Sequence, residues 1–250
     1  MTKPALPSLD AQRGYWNERW DRQRLPNSYQ RRRGDTVLMI LKSLRLTNPR
    51  ILDFGCGTGW FTEELSHLGR ATGIDLSETA IAVAQAAYPN VAFVAGNIYD
   101  TTFPAGHFDV VVSQEVVAHV EDPAAYLDRI ARMLQPGGYL IITTANRLVM
   151  ERWDHGGPNP DAHITFYPNR REFQRMLRRG FRVLRTTSIM PVGDRGFLRF
   201  VNSYKLNTAL GWVIAPRYLE RVKEWAGLGY TLIALARKPL SASQRGEVAS

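Results

Sequence analysis

Gly55, Gly57 and Gly59 stand at alternate positions after the apolar run Ile51-Leu52-Asp53-Phe54, and an amphipathic stretch opens at Trp60. This order predicts a strand, a tight turn and a helix N-terminus. Without a Cβ at these positions a ligand can approach the backbone, and the free N–H groups that begin the helix favour a negatively charged group. Asp53 precedes the turn and Cys56 sits inside it. Asp75 ends a second apolar run, Thr72-Gly73-Ile74-Asp75, about twenty residues later. A carboxylate at the carboxyl end of that strand can accept both hydroxyls of a ribose; its competing role is a charge at the N-terminus of a helix capped by Ser77. Imidazole titrates near neutrality and can take a proton from a hydroxyl, so histidines such as His119 and His163 are candidate bases. The alternative for His119 is a structural hydrogen bond at a loop edge.

The glycine spacing excludes one ligand class. The dinucleotide fingerprint needs a third small residue where helix and strand meet, and counting from Gly55 that position is Trp60. The pattern present, Asp53-x-Gly55-x-Gly57-x-Gly59, resembles motif I of the class I S-adenosylmethionine (SAM) methyltransferases. The resemblance implies SAM as cofactor, with Asp53, Gly55, Cys56, Gly57 and Gly59 around its methionine part and Asp75 with Leu76 at its ribose. Asn97 stands where the family often has an Asp that contacts the adenine amino group, and an Asn oxygen can still accept there. Ile98 would pack on the adenine face, with Tyr99 as a second candidate for that wall.

The segment from Phe108 to Pro123 is similar to a motif of small-molecule methyltransferases. It implies that Gln114 lies beside the methionine part and that His119 is the sharpest candidate base. The Asn146-Arg147 step, followed by His163 before a helix near Asn169, resembles the O-methyltransferases of ubiquinone biosynthesis. The resemblance runs from Ile51 to about Phe181. Substrate contacts are expected from Trp16, Tyr29, Arg147 and Tyr167. One of Arg31, Arg32 and Arg33 is a candidate for the SAM carboxylate. Such chemistry asks the protein to align a nucleophile behind the methyl group, exclude water and take a proton if the nucleophile is a hydroxyl. His155 and His163 with Asp154 and Asp161 match no metal-ligand spacing, so no metal is expected.

The elements that would hold these residues alternate as in a doubly wound α/β sheet. Strands are predicted over 50–54, 71–75, 91–95, 108–113 and 139–144, with helices over 60–67, 78–88 and 123–134. Pro136-Gly137-Gly138 should break the last helix before a strand. Runs over 181–190 and 230–238 complete a seven-stranded Rossmann-like sheet with a terminal antiparallel hairpin. The organisation expected is an N-terminal arm and helical cap over 1–49, a SAM-binding core over 50–190, a helical insertion over 191–229, a last core strand over 230–240 and a disordered tail over 241–250. The insertion is too long for a plain loop. It could be a lid, a membrane or substrate contact, or further core packing.

At 250 residues the chain can bury a sizeable core. Cys56 is its one cysteine, so an internal disulfide is excluded, and in the turn it reads as a small filler. The net charge of +9 is uneven: residues 1–49 carry +6, residues 50–146 carry −7 and residues 147–250 carry +10. Basic flanks suit an anionic or lipid-like small-molecule acceptor, a peripheral contact with an anionic membrane, or nucleic acid, or they are solvated faces. The leading expectation is methyl transfer to a small-molecule hydroxyl: a phenol or quinone precursor, a sugar or a lipid-linked glycan. The alternatives are a tRNA or rRNA methyltransferase and an inactive SAM-fold protein at a membrane surface. The N-terminal residues lack the apolar core of a signal peptide, and a cytoplasmic place, peripheral to the inner membrane face, is expected.

Overall fold

The computed structural model describes residues 7–101, 103–153 and 166–240. Its elements run α1 (Leu9–Arg22), α2 (Ser28–Ser43), β1 (Arg50–Phe54), α3 (Trp60–Ser66), β2 (Arg70–Asp75), α4 (Glu78–Ala87), β3 (Ala92–Ala95) and β4 (Phe108–Gln114). They continue with α5 (Pro123–Met133), β5 (Leu134–Ala145), α6 (Arg147–Met150), α7 (Arg170–Leu177), β6 (Arg182–Pro191), α8 (Gly196–Val201), α9 (Tyr204–Gly211), α10 (Pro216–Trp225) and β7 (Gly229–Arg237).

The seven strands form one sheet in the order β3-β2-β1-β4-β5-β7-β6. The first five are parallel, and β7 lies antiparallel between β5 and β6. Period-two alternation sorts the core into two layers. Ile51, Val110, Val112 and Ile141 pack with Val37, Ile40 and Leu41 of α2 and with Phe61 and Leu65 of α3. Leu52, Val111, Leu140 and Ile142 pack on the other face with Tyr126 and Ile130 of α5 and Phe173 and Leu177 of α7. Both faces are covered, so β4 reads Phe-Asp-Val-Val-Val without the polar alternation of a half-exposed strand. Strand order reverses direction between β1 and β4, and the crevice outside their carboxyl ends is where ligands bind in such sheets.

The expected helices and strands all form, with one revision. Leu134 pairs with Phe108 and the strand runs on through Pro136-Gly137-Gly138, which make an irregularity in its pairing instead of a break before it. Gly137 adopts φ +81° there, and its N–H donates to the carbonyl of Lys238.

The insertion folds as α8, α9 and α10, and Leu198 is the buried residue of these helices. These helices thus bury little of their own apolar surface. The insertion is tied down at its neck. Buried Asn146 donates from Nδ2 to the carbonyls of Gly227 and Gly229, 2.9 Å each, and Ser188 Oγ donates to the carbonyl of Glu224 at 2.7 Å. Residues 241–250 lie outside the described residues.

Candidate functional site

A cavity of about 790 Å³ opens at the carboxyl ends of β1, β2 and β4. Its floor is the glycine turn. Gly55 (φ +87°) and Gly57 (φ +53°) take left-handed conformations that disfavour other residues. The turn is fastened to β2: Gly55 and Cys56 donate to the carbonyl of Ile74 at 2.8 and 3.0 Å. The Gly57 N–H donates to Asp75 Oδ2 at 2.8 Å, and the Ser77 N–H donates to Asp75 Oδ1 at 2.9 Å. A carboxylate offers about four acceptor sites, so with these two donors and a weaker third, the Leu76 N–H, Asp75 keeps acceptor capacity for a ligand. Burial pushes the Asp75 carboxyl above its ordinary value, and the N–H donors of Ser77 and Gly57 pull against that.

Asp53, buried one strand away, accepts from Thr62 Oγ1 at 2.7 Å. Its carboxyl is pushed up to about 7, chiefly by burial, with the neighbouring Asp75 adding to the rise and Thr62 and Arg33 opposing it. Between the ordinary carboxylate range and about 7 the folded protein keeps a proton that the unfolded chain has released, so stability falls as pH rises through that window. Asp53→Asn is expected to flatten that slope. Urea unfolding at both ends of the window measures it, and an unchanged slope contradicts the assignment.

Helix α1 forms the roof. Tyr15, Trp16, Arg19 and Trp20 line the cavity, with the Arg19 guanidinium 5.9 Å from the Trp16 ring and 6.0 Å from the Trp20 ring. Ser8 caps the helix, and Asn17 Oδ1 holds it to α4 by accepting from Ser77 Oγ at 2.7 Å. No residue of α1 is buried. A Cβ on Gly57 would stand 2.7 Å from the Trp20 ring, so turn and roof meet in contact. Gly57→Val is expected to strain the turn, push α1 away and cost at least tenfold in SAM affinity, by about 1–2 kcal/mol of left-handed strain plus the clash. Calorimetry on the folded variant checks this, and undiminished affinity contradicts it.

One wall is polar. Arg33 of α2, with only 14% of its side chain exposed, donates from Nε to Gln114 Oε1 at 3.0 Å and lies 3.6 Å from Glu115. Glu115 accepts from Thr143 Oγ1 at 2.9 Å and holds φ +62°, a left-handed backbone unusual for Glu. Of the three adjacent arginines, Arg33 therefore reaches the cavity. Arg32 pairs with Glu220 and Glu224 of α10, and Arg31 is exposed and lines neither cavity. Another part of the lining is aromatic. The His119 ring, in a single turn of 3-10 helix over Val117–His119, lies 5.1 Å from Trp16 and 6.5 Å from Tyr167. Burial pushes the Tyr167 hydroxyl upward, and the Glu115 charge adds to it.

Asp53, Gly55, Cys56, Gly57, Asp75, Leu76, Asn97, Ile98, Gln114, His119, Trp16, Tyr29 and Tyr167 all line this cavity. Cys56 is buried, with its thiol pushed well up by burial and by the Asp75 and Asp53 charges, as suits a filler and not a nucleophile. Asn97 Oδ1 accepts from the Tyr99 N–H and its Nδ2 donates to Asp100, so the side chain also braces its own turn. Two expected residues are elsewhere. Gly59 packs the start of α3: a Cβ there would stand 2.7 Å from Ala84 and from Phe93. Arg147 turns away to Glu172 at 2.6 Å and Glu151 at 3.8 Å, which accounts for it as a brace between α6 and α7. His163 lies outside the described residues, as do His155, Asp154 and Asp161. Among the described residues no three His, Cys, Asp or Glu gather as a metal site. Residues 191–229 line no part of the large cavity, so the insertion stands beside the site, and α1 covers it.

Trp20, Glu115 and Tyr230 are among the lining residues that the sequence motifs do not single out. The spacing of Tyr15, Trp16, Arg19 and Trp20 did carry a signal, since these positions share one side of a helix. Glu115 and Tyr230 carried none, because their placement follows from strand pairing distant in sequence.

Residues 52–142 match a family described as Methyltransferase domain. A "Probable S-adenosylmethionine-dependent methyltransferase" of Mycolicibacterium smegmatis is 32% identical over 122 residues, 48% of this chain and 47% of that protein. The ubiquinone biosynthesis O-methyltransferase of Bradyrhizobium diazoefficiens is 40% identical over 103 residues, 39% of this chain and 40% of that protein. The chain thus spans less than half the length of these curated relatives. Among solved structures, the (4+2)-cyclase SpnF aligns with TM-score 0.67 at 17% identity, over 96% of this chain and 100% of that one. The N-methyltransferase NodS of Bradyrhizobium japonicum, solved with S-adenosyl-L-homocysteine, aligns with TM-score 0.61 at 20% identity, over 90% of this chain and 98% of that one. At these identities the structural likeness is one of fold.

Proposed function

We propose that this chain is a class I SAM-dependent methyltransferase, as its seven-stranded sheet and its residues 52–142 support, and that it binds SAM in the 790 Å³ cavity and methylates a small-molecule hydroxyl. The observation that carries the reading is Asp75: a buried carboxylate at the end of β2, already fastened to the glycine turn, with acceptor capacity left for a ligand hydroxyl. Two adjacent ribose hydroxyls need that arrangement. The turn fits the group as well, because Gly55 and Gly57 leave backbone where side chains would otherwise stand. When bound, SAM supplies an electrophilic methyl group on a sulfonium.

The residues of this chain supply the rest. Arg33, beside Gln114, offers a cation for a carboxylate at the polar wall. Trp16, Trp20 and Tyr15 exclude water and give a flat acceptor its faces. His119 takes the acceptor's proton at an imidazole nitrogen, and its aromatic neighbours Trp16 and Tyr167 limit how the ring can turn. Helix α1, with no buried residue, is the element through which ligands enter. The fold neighbours include an N-methyltransferase and a cyclase, so fold alone does not choose the acceptor atom. A methyl-transfer screen with labelled SAM against phenols, sugars, lipids, amines and tRNA tests the proposal. Label on a hydroxyl compound is the expected result; label only on amines or tRNA overturns the acceptor class, and no transfer to any class overturns the activity.

A further inference from the structure

The insertion presents an unusual outer surface. Helix α10 has two faces. Leu219, Glu220, Lys223 and Glu224 turn inward, where both glutamates pair with Arg32 and Lys223 Nζ donates to Asn207 Oδ1 at 2.7 Å. Arg217, Tyr218, Arg221, Val222 and Trp225 are all exposed, and at helical spacing they share the other side. Nearby in the chain, Phe200, Tyr204, Trp212 and Val213 are 72, 84, 88 and 86% exposed. Large apolar groups on a soluble surface are ordinarily scattered singly, and a concentration of them marks an interaction site.

Charge chooses the partner. With Glu220 and Glu224 turned to Arg32, the exposed acid of the insertion is Asp194, against exposed Arg195, Arg199, Lys205, Arg217 and Arg221. Among the described residues, Arg199, Lys205, Arg217 and Arg221 are in no ion pair. Arg217 lies over the Tyr218 ring at 5.0 Å. A second copy docked on this face would set its positive charges against those of the first. Polynucleotide phosphates would answer the charges and leave Leu206, Val213 and Val222 exposed to water. Tryptophan and tyrosine interleaved with Arg and Lys suit the boundary of an anionic bilayer, where the rings sit at headgroup depth and the cations meet phosphates.

We propose that residues 191–229 dock this protein on the surface of an anionic lipid bilayer. The segment lies on the membrane: among the described residues no helix is long and apolar enough to cross one. A second cavity, of about 310 Å³, lies at its root between Arg32, Pro191, Val192 and Glu220, and Tyr29 lines both this cavity and the large one. Tyr29 thus joins the root of the insertion to the site, yet docking requires neither SAM nor turnover.

The test is sedimentation of the full chain with vesicles of phosphatidylcholine, alone or mixed with phosphatidylglycerol, together with tryptophan emission. Binding to the mixed vesicles is expected, with a blue shift of emission and release by salt. Arg217→Ala and Arg221→Ala should each weaken it about fivefold. Trp212→Ser with Trp225→Ser should weaken it at least tenfold without moving the melting temperature, because both rings are exposed in the free protein. Absence of binding to the mixed vesicles by the unsubstituted chain overturns the proposal. So does binding that the substitutions leave intact, or their abolishing instead a self-association or tRNA binding seen without vesicles.

Discussion

Asp75→Ala is expected to lower SAM affinity about a hundredfold or more. The carboxylate accepts the Gly57 and Ser77 N–H groups and retains acceptor capacity for a ligand. Two charge-assisted bonds to ribose hydroxyls, at roughly 1.5 kcal/mol each at the low end, amount to about two orders of magnitude. The substitution also frees the Gly57 N–H, so loss of affinity alone would not separate ribose recognition from collapse of the turn. A deoxy-ribose analogue of the cofactor separates them. The unsubstituted protein should lose affinity when a hydroxyl is removed from the ligand, and Asp75→Ala should be indifferent to that removal. An equal hydroxyl penalty in both proteins, or unchanged SAM affinity in Asp75→Ala, contradicts the ribose assignment.

His119→Ala is expected to cut turnover of a hydroxyl acceptor by about 10²–10⁴-fold while SAM affinity stays near normal. The ring lines the cavity with Trp16 at 5.1 Å and Tyr167 at 6.5 Å. The pH dependence of single-turnover rates adds a second readout. In the unsubstituted enzyme the rate should rise with pH as the imidazole loses its proton, and His119→Ala should lose that rise. Full turnover with an unaltered profile removes His119 as the base. Turnover and SAM affinity lost together would instead make it a support for the roof through Trp16.

The fold was readable because its signals are local. Apolar runs, the cap Ser77 and the glycine turn each fix a strand or helix by themselves, and parallel strands buried on both faces have few competing readings. The closeness of Asp75 to the turn is legible for the same reason, since one helix separates them in the chain. Elsewhere the deciding contacts are long-range. Choosing Arg33 over Arg32 required knowing that α10 brings Glu220 and Glu224 to Arg32. Arg147 looked like a substrate contact until α7 placed Glu172 beside it. Gly59 shares the spacing of the turn yet serves packing, because Ala84 and Phe93 close on it from α4 and β3. The Pro-Gly-Gly stretch broke no strand, because its breaks in pairing are absorbed opposite Phe108 and Val110.

The central claim is that the glycine turn and Asp75 form a SAM site and not a dinucleotide site. Titration calorimetry of the unsubstituted protein with SAM, and separately with NAD, tests it most directly. Saturable one-to-one binding of SAM, accompanied by a change in emission from Trp16 and Trp20 over the turn, with no heat from NAD, is the result predicted. No binding of SAM, or binding of NAD as tight as that of SAM, would contradict it.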